Sequence, residues 1–177
     1  MVIDVNAPGL PAHGAGFHDN RLRSLWLPAG PTWLALAGTP DFALRNTLYG
    51  AIAFDKDVTE AISASFTVPY DYASGLAIQL VWTNLGAGSG NVVWRVGLNN
   101  QGDGGSASSL STFDTAATAA PGQNVWKYTN SSATFPNAAS GGQHVLLTCG
   151  RLATDGGDTL NNDAGFVGYL VNYTADM

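Results

Sequence analysis

The sequence predicts an antiparallel β-sandwich of jelly-roll type with an extended N-terminal arm, on three observations. Short stretches in which large apolar residues alternate with small or polar ones recur along the chain, which is the period of a strand with one buried face. Turn-forming clusters of Gly, Pro, Asn and Asp separate these stretches. No stretch has the 3.6-residue periodicity of an amphipathic helix. The predicted class is therefore all-β.

The chain is predicted to divide into an N-terminal arm with a short-strand anchoring segment, residues 1–50, and a jelly-roll sandwich, residues 51–177. Residues 1–20 are interrupted by prolines and glycines and cannot bury a core of their own. Short apolar pieces follow, and their tryptophans Trp26 and Trp33 are predicted to be core anchors. Exposure in an interface or against a sugar is the alternative for both.

The stretch from Glu60 to Leu98 is predicted to be the centre of the fold. Three apolar runs, at 61–68, 77–82 and 92–98, are separated by two glycine-containing turn clusters. We interpret them as a three-stranded antiparallel meander. Trp82 and Trp94 stand among apolar neighbours and are predicted to lie in the core.

The C-terminal half is predicted to hold a long structureless loop, residues 99–124, followed by strands at 125–128, 143–149 and 165–173. The last strand is apolar on both faces, which predicts burial on both sides or a subunit contact. Strict alternation assigns its residues to two faces. One face would carry Phe166, Gly168, Leu170 and Asn172, and the other Val167, Tyr169, Val171 and Tyr173.

Composition excludes several classes of function. Charged residues make up only 11% of the chain, and the formal net charge is −6. No basic stripe is present, so a nucleic-acid partner is not expected. No apolar run approaches the length of a membrane span, and the N-terminus lacks the features of a signal peptide. The sparsely charged surface fits either coverage by partners or small polar loops.

The residues that could carry catalysis are few, so we expect no enzymatic activity and no cofactor. The histidines are His13, His18 and His144, and no nucleophile elbow stands in a strand–turn–helix context. A metal site at His13 and His18 lacks further ligands at suitable spacing. The single cysteine, Cys149, lies in an apolar run, which predicts a buried free thiol.

The segment from Asp155 to Asp163 resembles a calcium loop in composition. Asp155, Asp158 and Asp163 provide carboxylates at the close spacing that Ca²⁺ requires. The residue order of an EF-hand is absent, and aspartates also make Asx-turns. Turn formation is therefore the default interpretation, and calcium is the alternative.

Aromatic residues on a β-sandwich also allow a carbohydrate-binding function. Because Trp82 and Trp94 are expected to be buried, the candidates for contact with a sugar are Tyr70, Tyr72, Trp126 and Tyr128.

A set of short motifs lies in the span from residue 54 to residue 173. The motifs are Phe54-Asp55, Phe66-Thr-Val-Pro69, Asp71-Tyr-Ala-Ser-Gly75, Ser89-Gly-Asn-Val-Val-Trp94, Ala120-Pro-Gly122, Arg151-Leu-Ala-Thr-Asp155, Asp158-Thr-Leu160 and Asp163-Ala164. In order and spacing they resemble a domain of tailed-bacteriophage virion structural proteins, found in head decoration (cement) proteins, head fibres and tail fibres.

The resemblance implies a jelly roll that assembles as a symmetric homotrimer on the virion, made in the cytoplasm of the host bacterium. We expect a capsid decoration protein that stabilises the head by binding the major capsid protein between capsomers, at the capsid surface. A tail-fibre or head-fibre domain that binds host-surface glycans is the alternative. The predicted capsid contacts are apolar residues of the arm: Val2, Val5, Pro8, Leu10, Pro11 and Phe17.

Overall fold

A computed structural model describes residues 21–45, 49–101, 110–133 and 139–176 of the chain. Within these ranges every helix or strand assigned is a β-strand, which confirms the all-β prediction. The strands are β1 (Arg21–Pro28), β2 (Leu34–Ala37), β3 (Asp41–Arg45), β4 (Tyr49–Phe54), β5 (Glu60–Thr67), β6 (Tyr72–Asn84), β7 (Asn91–Val92), β8 (Trp94–Gln101), β9 (Ser111–Asp114), β10 (Thr118–Ala119), β11 (Trp126–Ser131), β12 (His144–Arg151) and β13 (Ala164–Ala175).

Two antiparallel sheets form the sandwich. The first has the order β11-β6-β13-β4-β3, and β1 pairs with the part of β13 that β4 leaves free. The second has the order β2-β5-β12-β8-β9, and β7 and β10 form a separate short ribbon. Successive strands cross repeatedly from one sheet to the other, so the predicted jelly-roll sandwich is confirmed.

The core lies between the sheets and is built by alternating residues. On β6, Ile78, Leu80 and Trp82 face inward and are buried. The Trp82 and Trp94 rings meet edge to face with their centroids 5.5 Å apart, and Phe54 packs against Trp94 at the same separation. The prediction that both tryptophans are core residues is confirmed. These contacts join the two sheets through aromatic side chains.

The predicted central meander is wrong. The strands at 60–67 and 94–101, β5 and β8, flank β12 in the second sheet, whereas β6 lies in the first. The middle positions of the sheets belong to β12 and β13, near the C-terminus. Alternation reveals which residues of a strand face inward but not which strand lies beside it, so the sequential order was a poor guide to pairing.

The predicted faces of the last strand are also partly wrong. A register shift between Phe166 and Gly168 interrupts the pairing of β13 with β6. As a result Phe166 and Tyr169 both belong to the core, whereas strict alternation placed them on opposite faces. The predicted burial of this strand on both sides is correct for Val167, which is 4% exposed on the outer face.

The segment predicted to be a structureless loop contains strands where it is described. It supplies the end of β8, then β9, which pairs with β8, and β10, which pairs with β7. Phe113 on β9 packs against the core, and Asp114 on the same strand pairs with Arg95 on β8.

Residues 21–45 contribute strands to both sheets. They belong to the predicted arm and anchoring segment, residues 1–50. Strand β1 pairs with β13 over its whole length and β2 pairs with β5. Trp33 packs on the core, with its ring centroid 5.2 Å from that of Phe166. Trp26 was predicted to be a core residue, but it lies on the opposite face of the sheet and is 41% exposed.

Candidate functional site

The outer face of the first sheet carries exposed aromatic side chains. Trp126 and Tyr128 alternate with Lys127 and Thr129 on β11, so both rings point away from the core. They are 45% and 53% exposed. On the far side of the sheet, β1 directs Leu25 and Leu27 inward and Trp26 outward. The same face therefore has aromatic rings on both of its flanking strands.

Trp126 is held in place by an apolar cluster beneath it. Tyr49, at the start of β4, meets the Trp126 ring at 84° with the centroids 5.6 Å apart. Tyr49 in turn packs on the buried side chains of Ala51, Val81 and Val167. This second small core lies outside the sandwich. It limits the motion of Trp126 while leaving nearly half of its surface exposed.

Amide side chains occupy the middle of this face. Gln79 Nε2 donates a hydrogen bond of 2.7 Å to Asn130 Oδ1, between β6 and β11. Ser24 Oγ donates a hydrogen bond of 2.6 Å to Asn172 Oδ1, between β1 and β13. Each pair leaves amide donors or acceptors available, because an amide group has two donors and an acceptor oxygen with two lone pairs.

We call this surface the outer aromatic face. It consists of Ser24, Trp26, Gln79, Trp126, Tyr128, Asn130, Leu170 and Asn172. Its side chains are neutral and combine apolar rings with hydrogen-bonding amides.

The aromatic candidates from the sequence are thus only partly brought together. Trp126 and Tyr128 belong to the outer aromatic face. Tyr70 is 89% exposed but lies in the β5–β6 connection, beside Gly142 at one end of the sandwich. Tyr72 is partly buried against the core, with its ring centroid 6.1 Å from that of Tyr173, and burial raises the pKa of its hydroxyl.

Sequence reasoning favoured burial for Trp26, with exposure against a sugar as the alternative, and it missed the amides of this face. The alternation that predicted β11 as a strand would also have placed Asn130 on the side of Trp126 and Tyr128. No local signal could have brought Trp26 or Gln79 to them, since β1, β6 and β11 meet only through long-range pairing.

The three carboxylates for which calcium binding was the alternative interpretation are not assembled as a ligand set. Asp158 is buried and paired with Arg151, and Asp155 Oδ1 accepts the backbone N–H of Gly157 at 2.7 Å. Asp163 lines a separate polar cavity with Asp55. Among the described residues no group of three or more His, Cys, Asp or Glu side chains could hold a metal ion.

His144 and Cys149, the described histidine and cysteine, lie apart from one another. His144 Nδ1 is 3.2 Å from Thr67 Oγ1, and both side chains are exposed. Cys149 is fully buried, as predicted, and burial raises the pKa of its thiol. The two residues share β12 but face opposite sides of it, because their positions differ by an odd number.

Several predictions concern residues outside the described ranges. The predicted capsid contacts Val2, Val5, Pro8, Leu10, Pro11 and Phe17 fall there, as do His13 and His18. Their roles stay predictions. In the described ranges the chain has no helix that is long and apolar enough to cross a membrane.

Comparison with known proteins yields structural neighbours only. No protein-family model matches the chain, and no curated protein matches it. The chain is similar to a solved structure described as CBM35 from Cellvibrio japonicus Abf62, with 12% identity, a TM-score of 0.49, and coverage of 87% of this chain and 99% of that one.

Two further carbohydrate-binding modules are similar in fold. TmCBM61, solved with β-1,4-galactotriose, has 13% identity, a TM-score of 0.38, and coverage of 86% of this chain and 88% of its own. TmCBM27, described as recognising mannan, has 10% identity, a TM-score of 0.40, and coverage of 86% and 98%.

A tailspike domain of bacteriophage CBA120 is similar over 85% of this chain but only 19% of its own, with 7% identity and a TM-score of 0.37. With identities of 7% to 13% and TM-scores below 0.5, these likenesses carry no argument about a ligand. Membership of the phage virion family stays a prediction.

Proposed function

We propose that this domain is a non-catalytic glycan-binding module and that the outer aromatic face is its binding site. The observation that carries the proposal is the exposure of Trp26, Trp126 and Tyr128 on one sheet face, with amides between them. Exposed aromatic residues gathered on one face usually mark a binding surface. This favours the glycan alternative over the capsid-decoration hypothesis.

The chemistry of the face matches that of a sugar. A pyranose ring has apolar C–H groups on its faces and hydroxyl groups around its rim. Aromatic rings cover the C–H groups by stacking, and each ring is a large apolar surface that loses little conformational entropy on binding. The amides of Gln79, Asn130 and Asn172 can donate hydrogen bonds to the sugar hydroxyl groups and accept hydrogen bonds from them.

The arrangement fits a glycan better than a protein partner. A protein interface places apolar side chains at its centre and polar ones at its rim. Here Gln79 lies on a strand between those of Trp26 and Tyr128, and its amide partner Asn130 is the next outward residue beside Tyr128. A protein partner would have to bury these amides against matching groups, whereas a glycan supplies hydroxyls along its length.

The resemblance to phage virion proteins supplies the proposed setting, a head-fibre or tail-fibre domain that recognises glycans on the host surface. Capsid decoration is the second hypothesis from that resemblance. Its predicted contacts lie in residues 1–20, so no described residue favours it.

The experiment is a binding screen of the purified chain against neutral and acidic plant and bacterial polysaccharides, by affinity electrophoresis and then calorimetry. Trp126→Ala and Tyr128→Ala should each weaken binding at least tenfold, about 1.4 kcal/mol. Tyr70→Ala is the matched control, because it removes an aromatic ring that is more exposed but lies off the face. Equal losses for Tyr70→Ala and Tyr128→Ala, or no binding by the folded wild type, would contradict the proposal.

A further inference from the structure

Four side chains of the outer aromatic face lie side by side across the first sheet. Trp26 is in register with Leu170, Leu170 with Gln79, and Gln79 with Asn130. Tyr128 is the next outward residue on β11. A ligand along this row crosses β1, β13, β6 and β11. Because three strand spacings separate β1 from β11, this path is about 14 Å long. One sugar ring would cover only part of it.

The row changes in character along its length. Trp26 on β1 is one end of the row and Asn130 on β11 is the other, with Tyr128 the next outward residue along that strand. Gln79 Nε2 donates to Asn130 Oδ1, which leaves Gln79 Oε1 as an acceptor and Asn130 Nδ2 as a donor for a ligand. The face therefore offers a stacking position on each flanking strand, with hydrogen-bonding groups on β6 between them and on β11 beside Tyr128.

The row is also without charge. None of the eight side chains of the outer aromatic face is ionisable near neutral pH. The chain as a whole carries a formal charge of −6 and would repel a polyanion. The partner that fits this electrostatic setting is uncharged.

Among the described residues, both ends of the row are open. In the part of the chain that the structure describes, β11 and β1 have no further strand beside them. Trp26 and Tyr128 are each about half exposed rather than forming the walls of a pit. A polymer that covers the row can therefore continue past either end, which suits an internal segment better than a chain terminus.

We infer that the ligand is an internal segment of a neutral, linear glycan that lies across the strands, with one sugar ring on Trp26 and another on Tyr128. The inference rests on the proposed function and adds to it the charge, length and direction of the ligand. Gln79, between the two stacked rings, and Asn130, beside Tyr128, bind hydroxyl groups of the sugars.

The test uses oligosaccharides, from monomer to octamer, made by partial hydrolysis of the polysaccharide that binds best in the screen. Calorimetry on the full chain should show affinity rising with length and levelling off once an oligomer spans the row. Trp26→Ala should weaken binding of the longest oligomers at least tenfold and change that of the shortest less than twofold. The thermal unfolding of Trp26→Ala is recorded to show that it is folded.

The outcomes separate the inference from the proposed function. If a monomer binds as tightly as an octamer, or if Trp26→Ala leaves the length dependence unchanged, the extended path is wrong while glycan binding at Tyr128 stands. If polygalacturonate or alginate binds more tightly than every neutral polymer, the assignment to neutral glycans is overturned. If no polysaccharide binds the folded chain, the proposed function itself fails.

Discussion

Arg151 and Asp158 form an ion pair inside the sandwich. Arg151 Nη2 lies 2.8 Å from Asp158 Oδ1, and Arg151 Nε lies 3.1 Å from Oδ2. Both side chains are almost completely buried, at 0% and 1% exposure. The remaining guanidinium hydrogens are donated to the carbonyl oxygens of Phe54, Leu160 and Asn162. All five donors of the arginine are used, which fixes the connection from β12 to β13.

Breaking this pair should destabilise the fold severely. Arg151→Ala leaves the Asp158 carboxylate buried without its partner, and we expect a loss of about 3–5 kcal/mol in the free energy of unfolding. Denaturant titration of the wild type and the variant measures this loss.

Arg95 and Asp114 provide the control, because they form a bidentate pair with both side chains more than 40% exposed. Arg95→Ala should cost about 1 kcal/mol or less. Equal losses would mean that burial does not matter here.

The fold class was predictable from the sequence because strand burial alternates with a period of two. The stretches predicted as strands near Trp126, Cys149 and Tyr169 are β11, β12 and β13. The pairing of the strands was not predictable, since it depends on which inner faces pack together across the sandwich. The register shift at Val167 also has no simple signature, yet it moves Phe166 to the face opposite the predicted one.

The candidate site was less predictable than the fold. Trp126 and Tyr128 could be proposed because each is followed by a polar residue, Lys127 and Thr129, in a short strand. Trp26 has apolar neighbours on both sides, so its sequence context favoured burial, and only its pairing with Leu170 on β13 shows that it faces outward. For Asp158 the sequence suggested a turn, with calcium binding as the alternative, and gave no sign of the buried ion pair that it forms with Arg151.

The thiol of Cys149 should be unreactive in the native protein. Its side chain is fully buried, and burial raises the pKa of the thiol above its ordinary value of 9.0. We expect labelling by Ellman's reagent at about pH 8 to be many-fold slower than in denaturant, because the reagent requires an accessible thiolate. Rapid labelling without denaturant would show that the sandwich opens readily at β12.

The same burial gives a pH dependence with a defined sign. Because the pKa of the Cys149 thiol is higher in the folded state, its contribution to stability is fully present below the unfolded value. That contribution declines as pH rises above 9.0. As pH rises from about 9 to about 11, Cys149→Ala should lose less stability than the wild type. Parallel stability curves for the two proteins would contradict this expectation.

Trp82 and Trp94 offer a matched pair of core substitutions. Both are fully buried, but Trp82 Nε1 donates to Thr129 Oγ1 at 2.8 Å, whereas Trp94 Nε1 has no hydrogen-bond partner among the described residues. Each Trp→Phe change removes similar ring volume, and Trp82→Phe also leaves Thr129 without its donor. We expect Trp82→Phe to cost about 1 kcal/mol more, measured by urea unfolding. The opposite order would indicate a partner for the Trp94 indole, such as a buried water molecule.

Gly168 links the stability of the sheet to the outer aromatic face. A Cβ atom at this position would lie 2.5 Å from the Leu27 carbonyl oxygen and 2.7 Å from Cη2 of Trp26. Gly168→Ala must therefore push β1 away from β13 and move the Trp26 ring.

For Gly168→Ala we expect a loss of roughly 1–3 kcal/mol in the free energy of unfolding. Affinity for long oligosaccharides should fall as well, by at least as much as in Trp26→Ala. Gly156→Ala is the control, since a Cβ atom there has no neighbour within 4 Å. A Gly168→Ala protein with wild-type stability and affinity would show that β1 adjusts without moving Trp26.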